Sequence, residues 1–164
     1  SGYETPEALD ALHGLVDVYL PDLKYLDEAG AQALSGAPDY PRVACAAVAR
    51  MCEKTGPARY DAQGIMVRGT LVRHLVLPGR TVESIRVLNW VAEHLPPGTP
   101  LSLMGQYTPY GEAAGYPGLD RPLASKAYRR VQDHMRALGL EGYVQAGKAH
   151  GTAQIPQWDG SGVL

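Results

Sequence analysis

The chain has 164 residues, 45 % hydrophobic and 20 % charged, with a formal net charge of −2. That is one domain's worth of sequence, long enough to bury a real core and ordinary for a soluble globular protein. The charge argues against a nucleic-acid binder, no stretch approaches the roughly 18 apolar residues of a spanning helix, and no signal peptide is visible, so a cytoplasmic protein with neither nucleic acid nor membrane as partner is expected.

In chain order, a short helix from Pro6 to about His13 comes first, followed by an apolar strand over 16–24. Pro38-Asp39-Tyr40-Pro41 opens a helix whose Tyr40, Ala44, Ala47, Val48 and Met51 share one face by the 3.6 period, and Gly56-Pro57 ends it. A second apolar strand, 67–77, closes on Pro78-Gly79. Thr81 is placed to cap the next helix, with Glu83 in its first turn and Val82, Ile85, Leu88, Ala92 and Leu95 as its inner stripe. Pro96-Pro97-Gly98 breaks it before a strand over 100–104, and a loop over 105–121 contains Gln106, Tyr107, Tyr110, Glu112 and Tyr116. Loops of that length are often lids or binding loops, an ordinary surface excursion being the alternative. The last helix, about 123–138, has Ala124, Tyr128, Val131, Met135 and Leu138 as its inner face and Gly139 as its terminating glycine. A short strand over 142–145 and an aperiodic tail, 146–164, complete the chain.

Strands alternating with amphipathic helices predict βαβ units and an α/β fold with parallel strands and outer helices. About four such units are half of an eight-unit (β/α) barrel, spanning 1–145, with 146–164 as an extended tail.

Charge inside buried strands is costly unless paired or used, and the carboxyl ends of such strands form the ligand-binding rim. Asp22 and Lys24, two apart, face one side of their strand: either an ion pair or solvated strand end, or a place to hold a cation, an amino group and a carboxylate. Arg73 shares its strand face with Leu71, Leu75 and Leu77 and needs an anion, either Asp22 on a neighbouring strand or a carboxylate or phosphate ligand. His74 points the other way, toward the helix layer, as a structural histidine. Cys45 and Cys52, seven apart on a helix, lie about 10 Å apart along its axis, too far for a disulfide, and read as small buried hydrophobes. His13, His94, His134 and His150 lack metal-ligand spacing, and Arg129-Arg130 reads as a solvated helix face.

The run Val16-Asp17-Val18-Tyr19-Leu20-Pro21-Asp22-Leu23-Lys24-Tyr25, with Ala37-Pro38-Asp39-Tyr40-Pro41, Gly69-Thr70-Leu71-Val72-Arg73-His74-Leu75-Val76-Leu77-Pro78-Gly79, Leu103-Met104-Gly105-Gln106-Tyr107 and the tail Ile155-Pro156-Gln157-Trp158-Asp159-Gly160, resembles one family. It is similar to the radical S-adenosylmethionine proteins related to pyruvate formate-lyase activating enzymes, over nearly the whole chain. The resemblance implies a TIM-type barrel, full or partial. It also implies a [4Fe–4S] cluster that cleaves S-adenosylmethionine reductively, giving a 5′-deoxyadenosyl radical that abstracts hydrogen; in activating enzymes the target is a glycine of a partner enzyme. By the same resemblance, Asp22 and Lys24 surround a monovalent cation and the carboxylate end of the cofactor, and Arg73 lies near its amino-acid part. The adenine-side position, usually a histidine, falls near Gln106 or Tyr107. The implied partners are a protein or small-molecule substrate and an electron donor such as flavodoxin or ferredoxin; a half barrel by itself also leaves an exposed seam through which it can dimerise.

The family's Cys-x3-Cys-x2-Cys motif and its glycine- and glutamate-bearing cofactor motif are absent. Cys45 and Cys52 cannot replace three thiolates on one loop. Ser1-Gly2-Tyr3 resembles the stretch that precedes the Asp-Leu-Lys strand. The expectation is therefore the C-terminal portion of a longer radical enzyme, with cluster ligands upstream of Ser1, no metal ligands in this chain, no tight cofactor binding by it alone and no catalysis by it alone. The rivals are a non-catalytic half-barrel binding module and an aldolase-type barrel using Lys24 as a Schiff-base amine.

Overall fold

The computed structural model describes residues 2–144, so the expected tail 146–164 lies outside the described residues. Its elements are α1 (Pro6–Ala11), β1 (Val18–Tyr19), α2 (Glu28–Ser35), α3 (Tyr40–Thr55), β2 (Arg59–Tyr60), β3 (Met66–Thr70), β4 (Val72–Leu75), α4 (Thr81–His94), β5 (Leu101–Met104), a 3₁₀ turn (Gly111–Gly115), α5 (Ser125–Ala137) and β6 (Gly142–Val144). None of the helices is long and apolar enough to cross a membrane.

β1 pairs parallel with β3, β4 with β5, and β5 with β6, while β2 folds back antiparallel on β3. The run 66–75 crosses from one three-stranded piece to the other without losing its ladder. Leu71 N–H donates to the Tyr19 carbonyl (2.9 Å), Arg73 N–H to Pro21 (2.8 Å), and Leu23 N–H to Arg73 (2.9 Å), while Val72 N–H reaches across to Pro100 (3.0 Å). Apart from the antiparallel β2, the result is a parallel sheet in the order β1, the continuous run β3–β4, β5 and β6, with helices connecting each member to the next. That order is the winding of a (β/α) barrel rather than of a doubly wound sheet.

Alternate side chains of this sheet meet different environments. Leu23, Val72, Val76 and Leu101 are fully buried, and His74 and Leu103 nearly so, under Val48 of α3, Val87, Leu88 and Val91 of α4, and Val131 and Met135 of α5. Arg73, Leu75, Ser102 and Met104 point to the other face and are only half-buried. Parallel sheets normally have both faces covered; among the described residues nothing layers over this one.

The inner stripe of α3 is as the period predicts, with Tyr40, Ala44, Ala47, Val48 and Met51 all buried. That of α4 is displaced. Val82 is 63 % exposed, and the buried face is Glu83, Ser84, Val87, Leu88 and Val91 with Leu95 beyond. The displacement has a polar cause: the Glu83 carboxylate accepts from the Leu26 and Asp27 amides, and Ser84 meets His74, so the first turn of α4 faces inward through hydrogen bonds. Thr81 is the first helical residue rather than the cap, which is Arg80. The last helix starts at Ser125 rather than 123: Ala124 is its exposed cap, Leu123 is buried just ahead of it, and Val131 and Met135 are the buried residues of α5. The helix α2 escapes the sequence pattern because its eight residues hold barely two turns and include Gly30; an Asp27 cap on the Gly30 amide (2.7 Å) and Gly36 at φ 64° delimit it.

Two positions test this packing. Gly142 sits at φ 138°, and an added Cβ would lie 2.0 Å from the Leu101 carbonyl oxygen. Gly142→Ala should therefore cost about 2 kcal/mol or more, lowering the melting temperature by at least about 4 °C. The Tyr19 hydroxyl is buried with no hydrogen-bond partner among the described residues. Tyr19→Phe should leave the melting temperature unchanged or raise it, because an unsatisfied polar group is removed; a fall of several degrees would contradict the reading of the Tyr19 hydroxyl as unsatisfied.

Candidate functional site

The ladder pairs Asp22 with Arg73 across the β1–β4 seam. Arg73 Nε stands 3.1 Å from Asp22 Oδ1, with the two side chains 41 % and 26 % exposed. At that exposure the pair contributes at most about 1 kcal/mol. The contact is Coulombic more than a directed hydrogen bond, since Oδ1 is shut off from solvent yet has no hydrogen-bond partner among the described residues. Lys24, exposed and two residues on, has no carboxylate within ion-pair distance among the described residues.

These three side chains line a cleft of roughly 230 Å³ on the uncovered face, with Tyr25, Leu75, Leu77 and Met104 as its other walls. Two cations and one carboxylate leave the polar end of this cleft net positive, while Leu75, Leu77 and Met104 make the rest apolar. Such a constellation suits a zwitterionic amino-acid group, its carboxylate toward Lys24 and Arg73 and its ammonium toward Asp22. The volume is below that of a typical whole-ligand pocket, so the cleft takes a small ligand or one end of a larger one.

The backbone carrying Asp22 and Lys24 is tied from several directions. On the helix side, His74 Nδ1 donates to the Leu23 carbonyl (2.7 Å), which fixes the tautomer: Nε2 is unprotonated and accepts from the Ser84 hydroxyl (2.9 Å). His74 is thus a structural histidine facing the helices. On the edge, the Tyr40 phenol donates to the Asp22 carbonyl (2.8 Å) and accepts from the Lys24 amide (3.2 Å). Burial pushes the Tyr40 ionisation well above the usual phenol range, so the donor is kept at all ordinary pH. Just beyond, Glu83 receives Leu26 and Asp27. In the sequence Tyr40 reads as a core position, and Ser84 does not stand out as a site residue. Adjacent Glu83 and Ser84 on the inner face of an otherwise apolar helix were the available signal.

Gln106 and Tyr107 lie just past Met104 but are not among the residues lining this cleft. Tyr107 is turned into the core, its hydroxyl donating to the Leu119 carbonyl (2.7 Å), where it braces the loop; Gln106 is exposed at the rim. Gly105 lets the Tyr128 ring approach to where a Cβ would be 2.9 Å away, and Tyr128 donates to the Leu103 carbonyl (2.8 Å).

The cysteines do not fit an iron–sulfur cluster. Both are on α3, and burial raises both thiols, that of Cys45 to about 11, so neither is a thiolate at neutral pH. Among the described residues no group of three His, Cys, Asp or Glu side chains could hold a metal ion.

His74 gives the site a pH signature. Burial holds its imidazole below the ordinary value of about 6.5, outweighing the Leu23 bond and the Glu83 charge, which both raise it. Below that value the unfolded chain takes up a proton that the folded chain resists, so His74's contribution is full above about pH 6.5 and is lost as the pH falls. The melting temperature should therefore drop between pH 7 and 5, and more shallowly in His74→Asn, a variant less stable at pH 7. Equal slopes would contradict the assignment.

No protein-family model matches the sequence, and no curated protein matches it. Among solved structures, the chain is similar to a domain of pyruvate-formate lyase-activating enzyme from Bacteroides vulgatus ATCC 8482, with a TM-score of 0.60 and 14 % identity, covering 87 % of this chain and 75 % of that one. At that identity the likeness shows the fold alone: parallel strands with outer helices, arranged as part of a barrel.

Proposed function

We propose that the cleft binds the amino-acid end of S-adenosylmethionine, and that the chain is the C-terminal portion of a radical S-adenosylmethionine enzyme of the activating-enzyme type. The observation that carries this reading is the meeting of Asp22, Lys24 and Arg73 at one rim of the open sheet face, with a buried carboxylate oxygen of Asp22 still lacking a hydrogen bond. Lys24 and Arg73 would take the ligand's carboxylate, Asp22 its ammonium or a monovalent cation, and the apolar wall its methylene chain. Of the two expected adenine-side positions, Gln106 is the exposed one, and Tyr107 would act by bracing the loop that presents it.

In the parent protein a [4Fe–4S] cluster would supply the electron for reductive cleavage, held by residues outside these 164, because the two cysteines here do not fit it. The part assigned to this chain is binding and orientation. An electron donor such as flavodoxin or ferredoxin and a glycine-bearing protein or small-molecule substrate belong to the same reading. So does self-association through the exposed barrel seam, a reading that Leu20 beside β1, 52 % exposed, and Tyr143 of β6, 50 % exposed, support.

The rival reading, a half-barrel binding module without chemistry, is favoured by the same misfit of the cysteines. The two separate on the naturally encoded full-length protein, reconstituted anaerobically with iron and sulfide and reduced. The enzyme reading predicts that S-adenosylmethionine is converted to methionine and 5′-deoxyadenosine, and that Lys24→Ala with Arg73→Ala lowers kcat/KM at least about 100-fold, two charge-assisted contacts at about 1.5 kcal/mol each. Binding without cleavage would favour the module, and unchanged kinetics in the double variant would remove these residues from the site. The 164-residue chain alone should incorporate no cluster; iron and sulfide near four per chain would contradict the division of labour.

A further inference from the structure

We propose that Tyr40 is a positioning residue of this cleft: it touches no part of the ligand space, yet its phenol oxygen sets where the Asp22 and Lys24 side chains project. The proposal rests on the reading of the cleft given above and adds a residue to it.

In a parallel strand the backbone groups of alternate residues point to opposite neighbours. Those of Pro21 and Leu23 point to β4 and are paired with Arg73. The Asp22 carbonyl and the Lys24 amide point the other way, to the side of β1 where no strand lies among the described residues. The Tyr40 hydroxyl takes both, as acceptor from one and donor to the other, replacing a strand with a single atom. The two groups it joins belong to the two residues whose side chains carry opposite charges into the cleft.

The ring itself is held independently of those bonds. Tyr3 stacks on its outer side with centroids 5.7 Å apart and planes 17° from parallel, and Tyr25 packs edge-on at 5.5 Å. The Tyr3 hydroxyl is anchored on Asp39 (2.7 Å) and that of Tyr25 meets Ser35 (3.0 Å). Gly2 closes over the same Asp22 carbonyl, since a Cβ there would lie 2.4 Å from its oxygen. Removing the hydroxyl alone therefore leaves the ring clamped and frees the backbone between Asp22 and Lys24. A one-rotamer or sub-ångström change there moves the ends of both side chains, Lys24 most, because its charge is on a long stem with no ion-pair partner among the described residues.

The test is a double-mutant cycle on the full-length protein, with S-adenosylmethionine affinity measured by calorimetry in the unaltered protein, Tyr40→Phe, Lys24→Ala and the double variant. Tyr40→Phe should weaken binding about 5- to 20-fold, and should have little further effect once Lys24 is gone. Amide exchange should quicken at Lys24 and not at Leu23, whose amide is bonded to Arg73. As a control, Thr55→Val removes buried hydroxyl bonds at the opposite end of the same helix and should leave affinity unchanged while lowering the melting temperature. Unchanged affinity in Tyr40→Phe, or a loss that simply adds to that of Lys24→Ala, would overturn the positioning role and leave the cleft reading standing. No binding by the unaltered protein would overturn the cleft reading and the role of Tyr40 with it.

Discussion

Arg73 exchanges two backbone hydrogen bonds with the segment 21–23, accepting from Leu23 and donating to Pro21, and the rest of the site depends on that register. It joins the β1 piece of the sheet to the β4–β5–β6 piece. It also places Asp22 opposite Arg73, so that the carboxylate and guanidinium emerge side by side on the open face. A slip by one residue would send Leu23 to the cleft and Asp22 into the helix layer, where a charge has no partner. Leu23 and Val72, both fully buried, fix the register from the apolar side, and the His74–Leu23 bond fixes it from the polar side.

The two faces of the sheet divide the work. One is a close-packed interior in which His74 is held neutral by burial, with two hydrogen bonds setting its tautomer and orientation. The other keeps its charges partly in water, so the Asp22–Arg73 pair and Lys24 avoid the desolvation cost of a buried ion pair. A rigid back and a solvated front are what a binding rim requires: the backbone between Asp22 and Asp27 is tied to α3 and α4, while the charged ends remain free to meet a ligand.

Much of this was legible in the sequence where hydrophobic periodicity was strong. The stripe of α3 and the shared strand face of Asp22 and Lys24 follow from the 3.6 and 2.0 periods, and the break at Gly56 and the strand from 100 to 104 from the Gly and Pro that bound them. What escaped were features made by polar contacts between distant residues. Glu83 reads as a favourable first-turn acid, but its carboxylate reaches back more than fifty residues to Leu26 and Asp27 and rotates α4 away from the stripe that Val82 and Ala92 suggested. Tyr40 reads as one more apolar position, and nothing local shows that its hydroxyl bridges Asp22 and Lys24. Tyr107 reads as a loop aromatic facing a ligand, whereas its hydroxyl bonds back to Leu119 within the same loop.

The central claim is that Lys24 and Arg73 recognise the ligand's carboxylate. The most direct measurement compares the affinity of the full-length protein for S-adenosylmethionine and for its decarboxylated analogue, in the unaltered protein and in Lys24→Ala with Arg73→Ala. The account predicts that loss of the carboxylate weakens binding to the unaltered protein at least about tenfold, as for a charge-assisted pair, and makes almost no difference to the double variant. The same penalty in both proteins would show that the carboxylate is bound elsewhere and would contradict the assignment of this cleft.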